Sequence, residues 1–212
     1  MNRPDLAAEK RWMIERHLKG RGIADGAVLA AMAAVDRSRF VERSLAENAY
    51  DDNPLPIGFG QTVSQPYIVA LTLELARLRP ADRLLEVGTG CGYQAAVASR
   101  IAACVRSVEI VPELAEAAGE RLRRLGYDNV AVRCGDGREG WPTEAPFDAI
   151  IVAAATRRVP PALEAQLADG GRIVIPVGDR GGQTLLLGEK GGDCVDYRMM
   201  ADVRFVPLVG AD

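Results

Sequence analysis

The segment Leu84-Leu-Glu-Val-Gly-Thr-Gly-Cys-Gly-Tyr93 limits the possible folds more than any other stretch of the chain. Four mostly apolar residues run into glycines at 88, 90 and 92, and an apolar, helix-forming stretch follows. Glycine lacks a Cβ, so the chain can turn sharply there and a ligand can approach the backbone. A buried strand leading through such a turn into a helix is the opening unit of a parallel α/β sheet. The spacing is informative. Dinucleotide enzymes favour G-x-G-x-x-G, whereas here the third glycine comes one residue early and Tyr93 stands where it would be.

The remainder of the chain repeats that unit. Helical patterns are expected over 67–78, from about Tyr93, over 112–125 and over 160–167. They alternate with apolar strands over 83–88, 105–110, 129–134, 147–153 and 171–177. This alternation predicts a doubly wound α/β sheet covered on both faces. The tail segments 184–187, 194–199 and 203–208 read as strands without intervening helices, hence antiparallel additions. Before the sheet, helices are expected over 5–19, closed by Gly20, and over 25–35, capped by Asp25. The stretch 51–66 reads as irregular and partly apolar, which in a compact chain points to a functional loop. The expected organisation is one domain over 1–212, with a helical cap and substrate loop over 1–66 and a Rossmann-like core over 67–212.

Charge and residue counts exclude several functions. The net charge of -3 argues against a nucleic-acid partner. There is one histidine, His17, and Cys91, Cys104, Cys134 and Cys194 form no C-x-x-C pair, so no metal site is expected. Three of the cysteines lie in or beside predicted strands or the turn after one and read as small buried hydrophobes. No apolar run is long enough for a membrane span or a secretory leader, and the chain is expected in the cytoplasm.

Two acids suit a nucleoside ligand. Glu109 ends the second strand about twenty residues after Gly88, where a carboxylate can accept from ribose hydroxyls; otherwise it is an ordinary strand-end acid. Asp136, in Cys134-Gly-Asp-Gly-Arg138, can accept from an adenine amino group while Gly137 admits the ring, or it is a turn residue. Glu86 lies inside a strand, where it is either a ligand acceptor or a satisfied structural acid.

The G-x-G-x-G form resembles motif I of Rossmann-like methyltransferases. Further blocks narrow the resemblance: Leu55-Pro-Ile-Gly-Phe-Gly-Gln-Thr-Val-Ser-Gln-Pro66, Gly135-Asp-Gly137, Pro146-Phe-Asp-Ala-Ile-Ile-Val152, Gly170-Gly-Arg-Ile-Val-Ile-Pro-Val-Gly178 and Val203-Arg-Phe-Val-Pro-Leu208. Their order and spacing, from about Leu29 onward, are similar to those of the protein-L-isoaspartate O-methyltransferases. That resemblance implies S-adenosylmethionine as cofactor, no metal, and isoaspartyl residues of damaged proteins and peptides as substrate. It implies Ser64 as the active-site serine. Thr62, Val63, Gly88, Thr89, Gly90, Gly92, Glu109, Asp136 and Gly137 would contact the cofactor, and 203–208 would border the peptide. A monomer is expected. Departures are small: Cys91 stands where Ser is common, and Ala154-Ala155 replaces a different small pair.

In the chemistry the resemblance implies, Ser64 suits a positioning role rather than that of a nucleophile, since no His or Lys sits in a motif beside it; a loop-turning or helix-capping serine is the other reading. Rival functions are a carboxyl methyltransferase acting on a normal Asp of a dedicated partner peptide, an NAD-dependent oxidoreductase and a non-catalytic binding module. The glycine spacing argues against the second, and the intact Gly88, Glu109 and Ser64 against the third.

Overall fold

The computed structural model describes residues 5–179 and 181–210. The chain opens with α1 (Leu6–Trp12), whose cap is Asp5: its carboxylate accepts from the backbone N–H groups of Ala7 and Ala8. The helix continues through a wider-wound turn, Met13–Leu18, and a tight turn, Lys19–Arg21. It stops at Gly22, not at Gly20, because Gly22 is the residue that adopts the left-handed backbone, with φ 97°. Pro4, expected at its start, lies outside the described residues. Helix α2 (Gly26–Ala34) is capped by Asp25 as expected.

The stretch expected to be irregular contains an antiparallel hairpin, β1 (Leu55–Gly58) with β2 (Gln61–Val63). Gly58, Phe59 and Gly60 all take positive φ at its tip, so its strands were too short and its turn too glycine-rich to show a two-residue rhythm. Then follow α3 (Pro66–Ala76), β3 (Arg83–Val87), α4 (Tyr93–Ala98), β4 (Cys104–Glu109), α5 (Pro112–Arg124) and β5 (Val130–Cys134). The chain continues through β6 (Phe147–Val152), α6 (Pro161–Ala165), β7 (Leu167–Asp179), β8 (Gly182–Gly191) and β9 (Cys194–Val203).

Seven strands form one sheet in the order β5-β4-β3-β6-β7-β8-β9. The five from β5 to β7 are parallel, and β8 and β9 add antiparallel to β7. The segment expected as a last strand over 203–208 is not one. After β9 ends at Val203 the chain makes an isolated bridge at Pro207 to Ala155. Pro207 has no N–H to continue a ladder, and Val206 and Leu208 supply the neighbouring backbone bonds to Ala155, at 2.8 and 2.7 Å.

Alternate residues of the central strands serve the two faces. Leu84, Val105, Ala149 and Ile151 join the larger apolar cluster, which includes α2, α3 and α4 side chains. Leu85, Val87, Val108, Ile150 and Val152 join the smaller one with Leu163 of α6. Burial on both faces explains why these strands read as continuous apolar runs. Of the cysteines, Cys91 is buried as expected and Cys104 half-buried, but Cys134 and Cys194 are exposed. Those two lie at ends of the edge strands β5 and β9, where neighbours cover less.

Because β3 pairs with both β4 and β6, the chain reverses its direction of travel across the sheet at β3. The carboxyl ends of strands at such a reversal form the crevice where open α/β sheets take their ligands.

Candidate active site

A cleft lies at that point, and the sequence-expected residues largely converge on it. Thr62, Val63 and Ser64 line one side; Gly88, Thr89, Gly90, Glu109 and Gly137 line the other. Val206, Pro207 and Leu208 close a third side, so the 203–208 segment borders the cleft although it is not a strand. Gln61, Gln94, Ile110, Ala153 and Val209 also line it and were not singled out from sequence, because nothing in their types or spacing sets them apart.

The glycine-rich turn has the geometry its composition demands. Gly88, Gly90 and Gly92 have φ of 92°, 53° and 87°, a region L residues with side chains rarely occupy. Their neighbours differ. A Cβ at Gly90 would meet Ile57 of the hairpin at 3.1 Å, so the hairpin packs directly on the turn. A Cβ at Gly92 would meet Leu122 of α5 at 3.1 Å. Gly92 therefore serves helix packing and does not line the cleft. At Gly137 a Cβ would overlap Val87, which lets the 136–138 turn press against the end of β3.

Glu109, only 6% exposed, holds this turn from the adjacent strand. One carboxylate oxygen accepts from Gly90 N–H at 2.8 Å and the other from Val111 N–H at 3.0 Å. A carboxylate has about four lone-pair directions, so acceptor capacity remains toward the cleft. Asp136 is placed differently from its neighbour Gly137. Its carboxylate caps the turn, accepting from Arg138 N–H at 2.9 Å, and it pairs with the Arg138 guanidinium at 3.5 Å; it does not line the cleft.

Glu86 sits behind the cleft wall. It is 1% exposed and accepts from the Ser107 hydroxyl, which in turn bonds the Thr89 hydroxyl at 2.6 Å. Burial pushes its carboxyl up to about 8, against the opposing pull of the Ser107 hydrogen bond and the nearby Gln94 amide; the nearby Glu109 charge pushes in the same direction as burial. Its other oxygen, Oε1, is buried with no hydrogen-bond partner among the described residues, and Glu86 does not line the cleft, so neither reading left open for it, a ligand acceptor or a satisfied structural acid, holds as stated.

Ser64 is half-buried, and its hydroxyl has no hydrogen-bond partner among the described residues. It does not cap α3. Asp52 does so from a distance, accepting from Tyr67 N–H at 3.0 Å and from the Gln65 side chain at 2.7 Å. Among the described residues no group of three or more His, Cys, Asp or Glu gathers to hold a metal ion, and no helix is long and apolar enough to cross a membrane.

A doubly wound sheet with a glycine-lined cleft at its reversal point, and an acid at the end of the second parallel strand gripping the glycine turn, defines the class of Rossmann-like methyltransferases. Within that class the chain belongs to the protein-L-isoaspartate(D-aspartate) O-methyltransferase family, whose sequence model matches residues 8–212. It is 55% identical over 207 residues to a protein-L-isoaspartate O-methyltransferase of Methylorubrum extorquens (strain PA1), covering 97% of this chain and 90% of that one. It is 52% identical to the enzyme of that name from Roseiflexus castenholzii, over 97% of this chain and 94% of the other. A solved Plasmodium falciparum structure, described as a protein-L-isoaspartate O-methyltransferase in complex with S-adenosyl-L-homocysteine, superposes with a TM-score of 0.82 at 29% identity. That superposition covers 95% of this chain and 98% of the Plasmodium chain. The similarity begins earlier than the sequence blocks suggested, within α1 rather than near Leu29.

Proposed function

We propose that this protein transfers a methyl group from S-adenosylmethionine to the free carboxylate of L-isoaspartyl residues in damaged proteins and peptides, beginning their repair. The observation that carries this reading is that Ser64, whose hydroxyl has no partner among the described residues, lines the same cleft as the Gly88–Gly90 turn. The turn suits the cofactor: the backbone of Gly88 and Gly90 lines the cleft, and Glu109 keeps acceptor capacity beside it.

The cofactor supplies an electrophilic methyl carbon on a positively charged sulfur. A carboxylate acceptor has a solution pKa near ~4 and is ionised at neutral pH, so the chain needs no general base. This agrees with a cleft that has no histidine in its lining. The protein's task is alignment and exclusion of water. In this reading the Ser64 hydroxyl donates to one carboxylate oxygen, leaving the other to form the new bond to carbon as the carbon–sulfur bond breaks. Val206, Pro207 and Leu208 border the peptide, and Thr62 and Val63 cover the cofactor. Gly137 gives the adenine ring access, and Asp136 holds the turn that carries it. The product ester loses its alcohol to the neighbouring backbone nitrogen without further help, giving a succinimide. A normal aspartyl residue of a dedicated peptide would use the same chemistry, but the relatives described above carry the isoaspartyl name. The reading extends to a monomeric cytoplasmic enzyme without nucleic-acid partners, the last supported by the acidic net charge of -3.

Calorimetry tests the cofactor half of the proposal. S-adenosylmethionine and S-adenosylhomocysteine should bind and NAD should not; comparable affinity for NAD would overturn the reading.

A further inference from the structure

We propose that Arg37 is a positioning residue for methyl transfer, setting the Ser64 peptide against the glycine-rich turn. The inference rests on the functional reading of Ser64 above. Arg37 has 0% exposure, and among the described residues no carboxylate lies within ion-pair distance of it. Burial pushes its pKa down, but guanidinium keeps its proton in proteins. A buried, unpaired cation is costly unless its N–H groups are used.

The two terminal nitrogens are used on one loop, while Nε has no hydrogen-bond partner among the described residues. One terminal nitrogen donates to Ala49 O at 2.5 Å; the other donates to Asn53 O at 3.3 Å and to Ser64 O at 3.0 Å. The last acceptor is the carbonyl of the serine itself, so the bond fixes the peptide from which the hydroxyl projects. The same guanidinium lies 5.7 Å from the ring centroid of Tyr93, the first residue of α4 after Gly92. Tyr93 is held in turn by an edge contact with Phe40, at 5.6 Å between centroids. One side chain thus touches both walls of the cleft. From the far side Asp52 grips Gln65 and Tyr67, so the Ser64 peptide is bracketed. A lysine could not reproduce this, because a single ammonium lacks the planar fork that spans the three carbonyls.

The test is a cycle of Arg37→Lys and Arg37→Gln, each alone and with Ser64→Ala, read by single-turnover transfer to an isoaspartyl peptide at saturating cofactor. Circular dichroism gives the folded fraction. Misplacement of a reacting group by a fraction of an ångström lowers rates steeply, so each Arg37 variant should transfer roughly tenfold or more slowly per folded molecule. Affinity for S-adenosylhomocysteine should stay within about twofold of wild type, and in the Ser64→Ala background the further loss should be under about twofold. Equal losses in both backgrounds, or a lower melting temperature with transfer per folded molecule unchanged, would overturn the proposal. Amide hydrogen exchange at Val63, Ser64 and Gln65 decides independently of activity. It should quicken in the Arg37 variants; unchanged exchange overturns the clamp even if the peptide is methylated. A wild-type enzyme inactive on the isoaspartyl peptide would instead sink the functional reading, with the exchange result still standing.

Discussion

Ser64 and Glu86 mark two different uses of a polar group at this cleft. Ser64 sits in the lining with no partner for its hydroxyl among the described residues, while Asp52 does the capping that a serine before a helix often does. Ser64→Ala should therefore lower turnover on the order of ten- to hundredfold, the scale of one positioning bond to a charged group, while cofactor affinity holds. Single-turnover rates and calorimetry on that variant check it, and an unaffected rate would remove Ser64 from the chemistry. Glu86 works from behind the wall. Its carboxyl is raised from 4.5 to about 8 in the fold, so the folded chain holds a proton there that the unfolded chain has released. The stability linked to this proton is full below the unfolded value of 4.5 and is lost as pH rises toward the folded value of about 8. Glu86→Gln should raise the melting temperature more at about pH 8.5 than at about pH 5; a pH-independent difference would contradict the assignment. Residue-level legibility followed side-chain chemistry. Glycines with forced positive φ announce themselves, so Gly88, Gly90 and Glu109 were readable. Arg37 was not, because an arginine among Asp36 and Ser38 looks like solvent-facing polarity until its carbonyl acceptors, up to 27 positions away, are seen.

The elements that hold the cleft are the hairpin and the two ends of α3. The β1–β2 hairpin packs Ile57 onto Gly90, tying the substrate loop to the glycine turn. At the other end of α3, Arg172 of β7 donates to Ala76 O at 2.9 Å and pairs with Asp82 at 2.5 Å, both side chains nearly buried. This pair anchors the helix that carries the Ser64 loop to the far side of the sheet. Removing the guanidinium leaves Asp82 buried and uncompensated, so Arg172→Met should cost about 3–5 kcal/mol. Urea unfolding measures it, and a loss below about 1 kcal/mol would mean the pair is replaceable. The parallel strands and α5 were legible because their apolar rhythm continues over whole elements. The hairpin was hidden because its strands have four and three residues around a positive-φ tip. The 203–208 segment looked like a strand from its alternation, but Pro207 allows only a bridge.

At the scale of the molecule, the cleft follows from topology. Strands β3, β4 and β5 step one way across the sheet and β6 and β7 the other, so the ends of β3, β4 and β6 flank an opening. Strand β2 and the residue after it line one side and the chain after β9 returns to wall another, which is why residues as distant as Thr62 and Leu208 share one lining. Alternating strands and helices made the sheet readable from sequence, while the return of the 204–208 segment to Ala155 depends on contacts no local pattern encodes. The decisive measurement is methyl incorporation from labelled S-adenosylmethionine into an isoaspartyl peptide, beside the same peptide with normal aspartate. Transfer to the isoaspartyl peptide, with incorporation into its aspartyl twin at background, is the expected result; equal labelling of both, or labelling of neither by folded, cofactor-binding protein, would contradict it.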